Sequence, residues 1–136
     1  MAHKCRALVL FCMDYRLNRQ LFAFLDHEGL LAGGADIVRL AGAAKNLARP
    51  ASEAVFHFVM EQIDTSRRLH HIDTVYLVNH EDCGAYGPED IPDSNQELQV
   101  HRRDLLAGAK IVEEAFPGIT AHPCFMWLDG RCQAVT

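Results

Sequence analysis

A chain of 136 residues with 49% apolar and 23% charged side chains has an ordinary globular composition, enough for one domain over residues 1–136 and too little for a second. A domain this size buries roughly two-thirds of the surface its unfolded chain exposes, so any metal it holds needs a functional reason rather than a folding one. Eighteen acidic against thirteen basic residues give a net charge of −5, and no basic block exceeds the pairs Arg67-Arg68 and Arg102-Arg103, which argues against a nucleic-acid partner. The longest apolar run, Ala7 to Met13, falls far short of the ~20 residues that span a bilayer, so no membrane segment is expected. Asp14 and Arg16 follow that run too closely for a secretory leader. A cytoplasmic location is expected, with the five cysteines reduced; their odd number also opposes a closed disulfide framework.

Short apolar runs rich in β-branched residues alternate with longer amphipathic stretches, without internal repeats. The alternation predicts an α/β fold: a three-layer open sheet, mostly parallel, with about four parallel strands plus an antiparallel edge strand and helices on both faces. The first strand is Ala7 to Cys12. A helix follows over Leu17 to Asp26 with Leu21, Phe22 and Leu25 on its apolar face, and Gly29 ends it. The second strand covers Asp36 to Leu40. Pro50 stands near the start of a long helix that opens at about Ser52 and buries Val55, Phe58, Val59 and Ile63. Thr74 to Val78 reads as a strand buried on both faces. Gly87, Pro88 and Pro92 make Tyr86 to Asp93 a loop, after which Ser94 and Glu97 form a capping-box pattern. The helix behind them places Leu98, Leu105, Ala109, Val112 and Phe116 on one face and stops at Pro117-Gly118. From Ile119 the tail reads as strand, Asp129-Gly130 turn, strand.

Two motifs carry chemistry: Cys12-Met-Asp14-Tyr-Arg16 after the first strand, and His80-Glu-Asp-Cys83 after the third. Both fall at strand carboxyl ends, where open α/β sheets bind ligands at the point of diverging connections. Cys12, His80 and Cys83 offer two thiolates and an imidazole, a zinc set that leaves a fourth position for water or a carboxylate. In an extended segment Cys12, Asp14 and Arg16 share one side, and Arg16 can hold Asp14 ionised by paired hydrogen bonds. Asp14 can alternatively take the fourth zinc position itself.

Cys-x-Asp-x-Arg followed by His-x-x-Cys-Gly resembles the pattern of the β-class carbonic anhydrases, and the segment Gly34 to Gly42 is similar to that family's second strand. The resemblance covers most of the chain. It implies zinc (Zn2+) on Cys12, His80 and Cys83, an Asp14-Arg16 catalytic dyad, and substrate oriented by backbone near Gly84. It further implies reversible hydration of carbon dioxide to bicarbonate by zinc-bound hydroxide, in a homodimer or higher homo-oligomer. Departures from the pattern are Leu40 and Ala43, where the family carries asparagines, Asn79, where it carries glycine, and only six residues before the first strand, where it carries a helical arm.

Blander readings stand beside these. Arg39 reads as a positioning or ion-pair residue, Gly84 as a tight-turn glycine, and Cys5, Cys124 and Cys132 as buried or incidental. His70-His71 suit a helix carboxyl end, His101 is a weak proton-relay candidate, and Trp127 reads as core or interface. A cysteine phosphatase needs a glycine-bearing anion loop between Cys12 and Arg16, and a zinc deaminase needs a Pro-Cys-x-x-Cys that Pro123-Cys124 does not continue. No glycine-rich phosphate loop is present. The alternatives that remain are an anhydrase-like zinc protein acting as a binding or sensor module, and an enzyme for another small substrate such as carbon disulfide or carbonyl sulfide.

Overall fold

The computed structural model describes residues 3–136. Its strands are β1 (Ala7–Phe11), β2 (Ala35–Arg39), β3 (Thr74–His80), β4 (Thr120–Met126) and β5 (Cys132–Ala134). They form one sheet in the order β2-β1-β3-β4-β5. The first four are parallel and β5 adds antiparallel to β4, the arrangement expected from the alternating pattern. The helices are α1 (Asn18–His27), α2 (Leu30–Gly33), α3 (Lys45–Ala48), α4 (Glu53–His70) and α5 (Glu97–Ala115). No helix among the described residues is long and apolar enough to cross a membrane.

Strand alternation sends Leu8 and Leu10 of β1 to one face and Ala7, Val9 and Phe11 to the other. On the first face they join Val75 and Leu77 of β3 under α3, α4 and α5, through Leu47, Val59, Ile63, Leu105 and Val112. On the second they join Tyr76 and Val78 under α1 and α2, through Leu21, Phe24, Leu25 and Leu30. All five residues of β1 are buried, which explains why its run is apolar without alternation. Gly108 lets α5 close on the sheet: a Cβ there would lie 3.3 Å from Leu77 Cδ1 and 3.7 Å from the Cβ atoms of Ala44 and Leu47.

Several local expectations shift. The segment after β1 enters a 3-10 turn over Tyr15–Leu17 before α1 begins, and Gly29 adopts φ 70°, ending α1 and leading into the short α2. Ser52 caps α4 through Val55 N–H as expected. The buried stripe of α4, however, is Val59, Ile63 and Ser66, with Phe56 packed against the core and Phe58 exposed. Ser94 does not cap α5. Asp93 caps a 3-10 turn over Ser94–Gln96 instead, and the Glu97 carboxylate accepts a hydrogen bond from Asp82 N–H at 2.8 Å, a long-range partner that displaces the capping box. Leu98 is correspondingly exposed, while His101, Asp104 and Gly108 join Leu105, Ala109 and Val112 on the buried face of α5. The Asp129-Gly130 turn forms, with Gly130 at φ 96°.

Leu77 is fully buried at the centre of the sheet, facing α5. Leu77→Ala is expected to lower unfolding free energy by about 2–5 kcal/mol in urea titrations, with the m-value unchanged.

Candidate metal centre and active site

The strand order reverses direction at β1: β2 lies on one side and β3 on the other. A crevice opens outside the carboxyl ends at such a point. β1 and β3 pair in register through Phe11 and Val78, so Cys12 leaves β1 beside Asn79 and His80 as β3 ends. Cys83 returns within the following turn. The three sequence-predicted ligands therefore meet: the ligand atoms of Cys12, His80 and Cys83 lie within 4.8 Å of one another, and all three residues are buried.

The donor set fits a metal. His80 is 1% exposed, and its Nδ1 lies 2.7 Å from the Glu81 carbonyl oxygen, which fixes the ring proton on Nδ1. Nε2 then carries a free lone pair and has no hydrogen-bond partner among the described residues, an unusual state for a buried nitrogen. The two sulfurs are 3.9 Å apart. Hydrogen bonding from Cys83 pulls the Cys12 thiol below its ordinary pKa against the opposing effect of burial, and the same contact, with burial, pushes Cys83 up. The pair thus rests as a hydrogen-bonded thiol and thiolate, and an ion on Cys12, His80 and Cys83 would let both sulfurs ionise. Burial opposes charge on His80, but the neighbouring Cys12 sulfur and the Glu81 carbonyl oxygen outweigh it and raise its pKa.

Asp14 stands beside this cluster, with Oδ2 3.8 Å from His80 Nε2. The chain is not extended through Arg16, as the shared-side expectation required; Asp14 caps the 3-10 turn, and Arg16 folds back onto it. Arg16 Nη2 donates to Asp14 Oδ2 at 2.7 Å, its Nε reaches both oxygens at 3.1 Å, and its backbone N–H donates to Oδ1 at 2.9 Å. Those hydrogen bonds hold the Asp14 carboxyl down at about 2. Arg16 also donates to the side chain and carbonyl oxygen of Asp82, tying the two motif segments together. Arg39 fastens the exit from β1 through the carbonyl oxygens of Cys12 and Asp14, each at 2.9 Å, and so takes the positioning role.

Above these groups lies an open cleft of about 780 Å³, walled by Met13, Tyr15, Ala41, Gly84 and Ala85 with Asp14, Arg16 and Asp82. Gly84 lines the cleft as expected. It is not held there by a left-handed turn, because its φ is not positive; a Cβ on it would meet nothing within 4 Å, so its bare backbone faces open space.

A buried polar layer behind the cluster escaped the motif reading. Asn79 accepts from Ala44 N–H at 3.0 Å and donates to Tyr86 Oη at 2.9 Å and His101 Nδ1 at 3.0 Å. Tyr86 donates to Asp104 at 2.8 Å, and Arg49 clamps Asp104 while also reaching Asp90, which Lys45 joins. Burial opposes charge on Asp104, but the Arg49 and Tyr86 hydrogen bonds keep its pKa low. His101 is fully buried and burial pushes its pKa down to about 4, so it is not the solvent-facing proton relay considered from sequence. The available signal was polar His101 and Asp104 at a three-residue spacing on the apolar face of α5.

A doubly wound α/β sheet with a Cys-His-Cys cluster at its switch point, flanked by an arginine-clamped aspartate, is an arrangement of the carbonic-anhydrase type. The family model described as "Putative carbonic anhydrase" matches residues 2–135, and the chain belongs to that family. Relatives include an uncharacterized protein of Rickettsia bellii, 26% identical over 140 residues and covering 98% of this chain and 83% of that protein. An uncharacterized protein of Rickettsia conorii is 26% identical over 137 residues, covering 98% of this chain and 73% of that one. The solved structure of the β-carbonic anhydrase CcaA shares the fold with a TM-score of 0.53 at 15% identity, over 98% of this chain and 80% of its own.

Arg49 and Lys45 hydrogen bonds hold Asp90 at about 2, below its ordinary 3.8. A depressed folded-state pKa stabilises the protein above the unfolded value and loses that contribution as pH falls through the folded one. Asp90→Asn is therefore expected to destabilise the protein at pH ~6, with the difference from wild type closing as pH drops from ~4 toward ~2. Urea titrations across that range check it; a pH-independent difference would remove the ion-pair explanation.

Proposed function

We propose that this protein is a zinc-dependent carbonic anhydrase that interconverts carbon dioxide and bicarbonate in the cytoplasm, with Cys12, His80 and Cys83 as ligands and Asp14 and Arg16 as the catalytic dyad. The observation that carries this reading is the unpartnered, buried Nε2 of His80, grouped with two sulfurs and with an arginine-clamped carboxylate alongside. Zinc, when bound, supplies a Lewis acid that makes water a nucleophile near neutral pH. Asp14, kept ionised by Arg16, only accepts hydrogen bonds; it can take one from a nucleophilic water and orient the remaining lone pairs toward a substrate in the cleft. The same clamp competes with a cation for the Asp14 oxygens, which favours an open site over the self-blocked alternative. Apolar walls at Ala41, Ala85 and Met13 suit an uncharged linear substrate, and the open face over Gly84 gives it room beside exposed backbone. Met13 and Tyr15 are 63% and 80% exposed on the cleft rim, which supports a homo-oligomer whose second copy covers them.

Stopped-flow hydration assays on protein of measured zinc content test the proposal. Wild type is expected to hydrate carbon dioxide, and Asp14→Ala to lose at least about 100-fold in kcat/KM while retaining its zinc. Zinc-loaded wild type without hydration at pH ~7 or ~8.5 would overturn it, and would leave a zinc-holding binding module or an enzyme for another cumulated substrate.

A further inference from the structure

At the opposite, amino end of the sheet a second set of ligating side chains converges from three elements. Cys5 lies just before β1, Asp36 is the second residue of β2, and His70 is the last of α4. We propose that Cys5, Asp36 and His70 form a second metal site, for a borderline divalent cation such as zinc, separate from the Cys12-His80-Cys83 cluster.

The ligand atoms of these three residues lie within 4.8 Å of one another, and thiolate, imidazole and carboxylate are the three side-chain donors zinc accepts. Backbone geometry builds the convergence. Cys5 N–H donates to the His70 carbonyl oxygen at 3.1 Å, and Arg6 N–H to that of Gly34 at 3.2 Å, so the segment before β1 is pinned to both neighbours. Gly34 has φ 81°, and a Cβ on it would stand 3.1 Å from Cys5 Cβ; the glycine permits this close approach.

Hydrogen bonding among the polar groups accounts for two of the three. His70 Nδ1 lies 2.6 Å from Asp36 Oδ2, which also accepts from Ser66 Oγ at 2.6 Å. His70 stands in the last turn of α4, as the helix-end reading expects, and has a specific carboxylate partner as well. Neither bond needs a thiol, and the Cys5 thiol makes a long contact with the Ala7 carbonyl oxygen at 3.6 Å. Burial, then the Asp36 charge, pushes the Cys5 thiol up, so a cation that binds there displaces the thiol proton to solvent and forms the metal–sulfur bond in its place. His70 and Asp36 side chains are 31% and 32% exposed, leaving the group reachable from solvent. Cys5, read from sequence as incidental, gains a partner set that no local spacing announces.

The test is zinc titration of the full chain by native mass spectrometry with a competing chromophoric chelator, and it reads metal rather than hydration. Wild type is expected to bind two zinc ions. Cys5→Ser and His70→Gln should each bind one, with the lost site weakened by more than about 100-fold, beyond what removing an outer-shell partner costs. Cys83→Ser should remove the other ion, which separates failure of this site from failure of the catalytic one. Cobalt provides a second readout: the thiolate-to-metal absorption of the Cys5 site should correspond to one sulfur and vanish in Cys5→Ser while the variant keeps its wild-type circular dichroism. A single zinc ion removed by Cys83→Ser, or a second ion retained in both Cys5→Ser and His70→Gln, would overturn the assignment.

Discussion

The in-register parallel pairing of β1 with β3 is the constraint on which the site depends. Phe11 faces Val78 across the ladder, so the next residues, Cys12 and Asn79, leave the sheet side by side, with His80 one step further along. A shift of one residue would exchange the faces of every β1 side chain, moving Leu8 and Leu10 off the core beneath α4 and α5. The register is therefore fixed by burial on both faces, and burial is what places a thiol next to an imidazole. Once there, the sulfurs pair with each other, but Nε2 of His80 is left without a partner among the described residues. His80 has spent its one proton on Glu81, and two sulfurs 3.9 Å apart resist carrying two charges unaided. A divalent cation satisfies all three at once, which is why the cluster reads as a ligand set rather than as buried cysteine.

Two arginines then decide what stands beside that cluster. Arg39 grips backbone, the carbonyl oxygens of Cys12 and Asp14, so the β1 exit keeps its path irrespective of what the side chains bind. Arg16 grips a side chain, and competes with any cation for Asp14. Its paired geometry gives it an advantage over a single point contact, and its reach to Asp82 means that releasing Asp14 also loosens the turn bearing Cys83. The position of one carboxylate is thereby linked to the geometry of one ligand.

What was legible in the sequence follows from distance along the chain. β-Branched runs, the Ser52 cap, the Asp129-Gly130 turn and both ligand motifs are written in neighbouring residues, and each appears in the structure where its pattern lies. The failures share one cause, a partner from elsewhere. Glu97 fits a capping box but is taken by Asp82, and Phe58 fits an apolar stripe but α4 turns Phe56 inward instead. Short α2 and α3 lack a periodicity long enough to read. Cys5, Asp36 and His70 are separated by whole elements, so only the fold can show that they meet.

The Asn79 departure from the family pattern shows how such a long-range change is accommodated. A glycine before His80 would leave a void and no polar demand; an asparagine at 2% exposure brings a carbonyl oxygen and two N–H groups that must all be satisfied. Ala44 N–H, Tyr86 and His101 answer them, Tyr86 in turn donates a hydrogen bond to Asp104, and Asp104, itself 1% exposed, requires Arg49. Each member would be costly alone, since an unpaired buried carboxylate is far worse than a packed apolar side chain. Together they couple β3, α3, α5 and the Tyr86 segment directly beneath the cleft. The layer is poor evidence of extra stability, because desolvation offsets most of what the pairs contribute. Its consequence is directional: polar partners must match in identity and angle, so they hold the His80 end of β3 in one arrangement where an apolar filling would tolerate several.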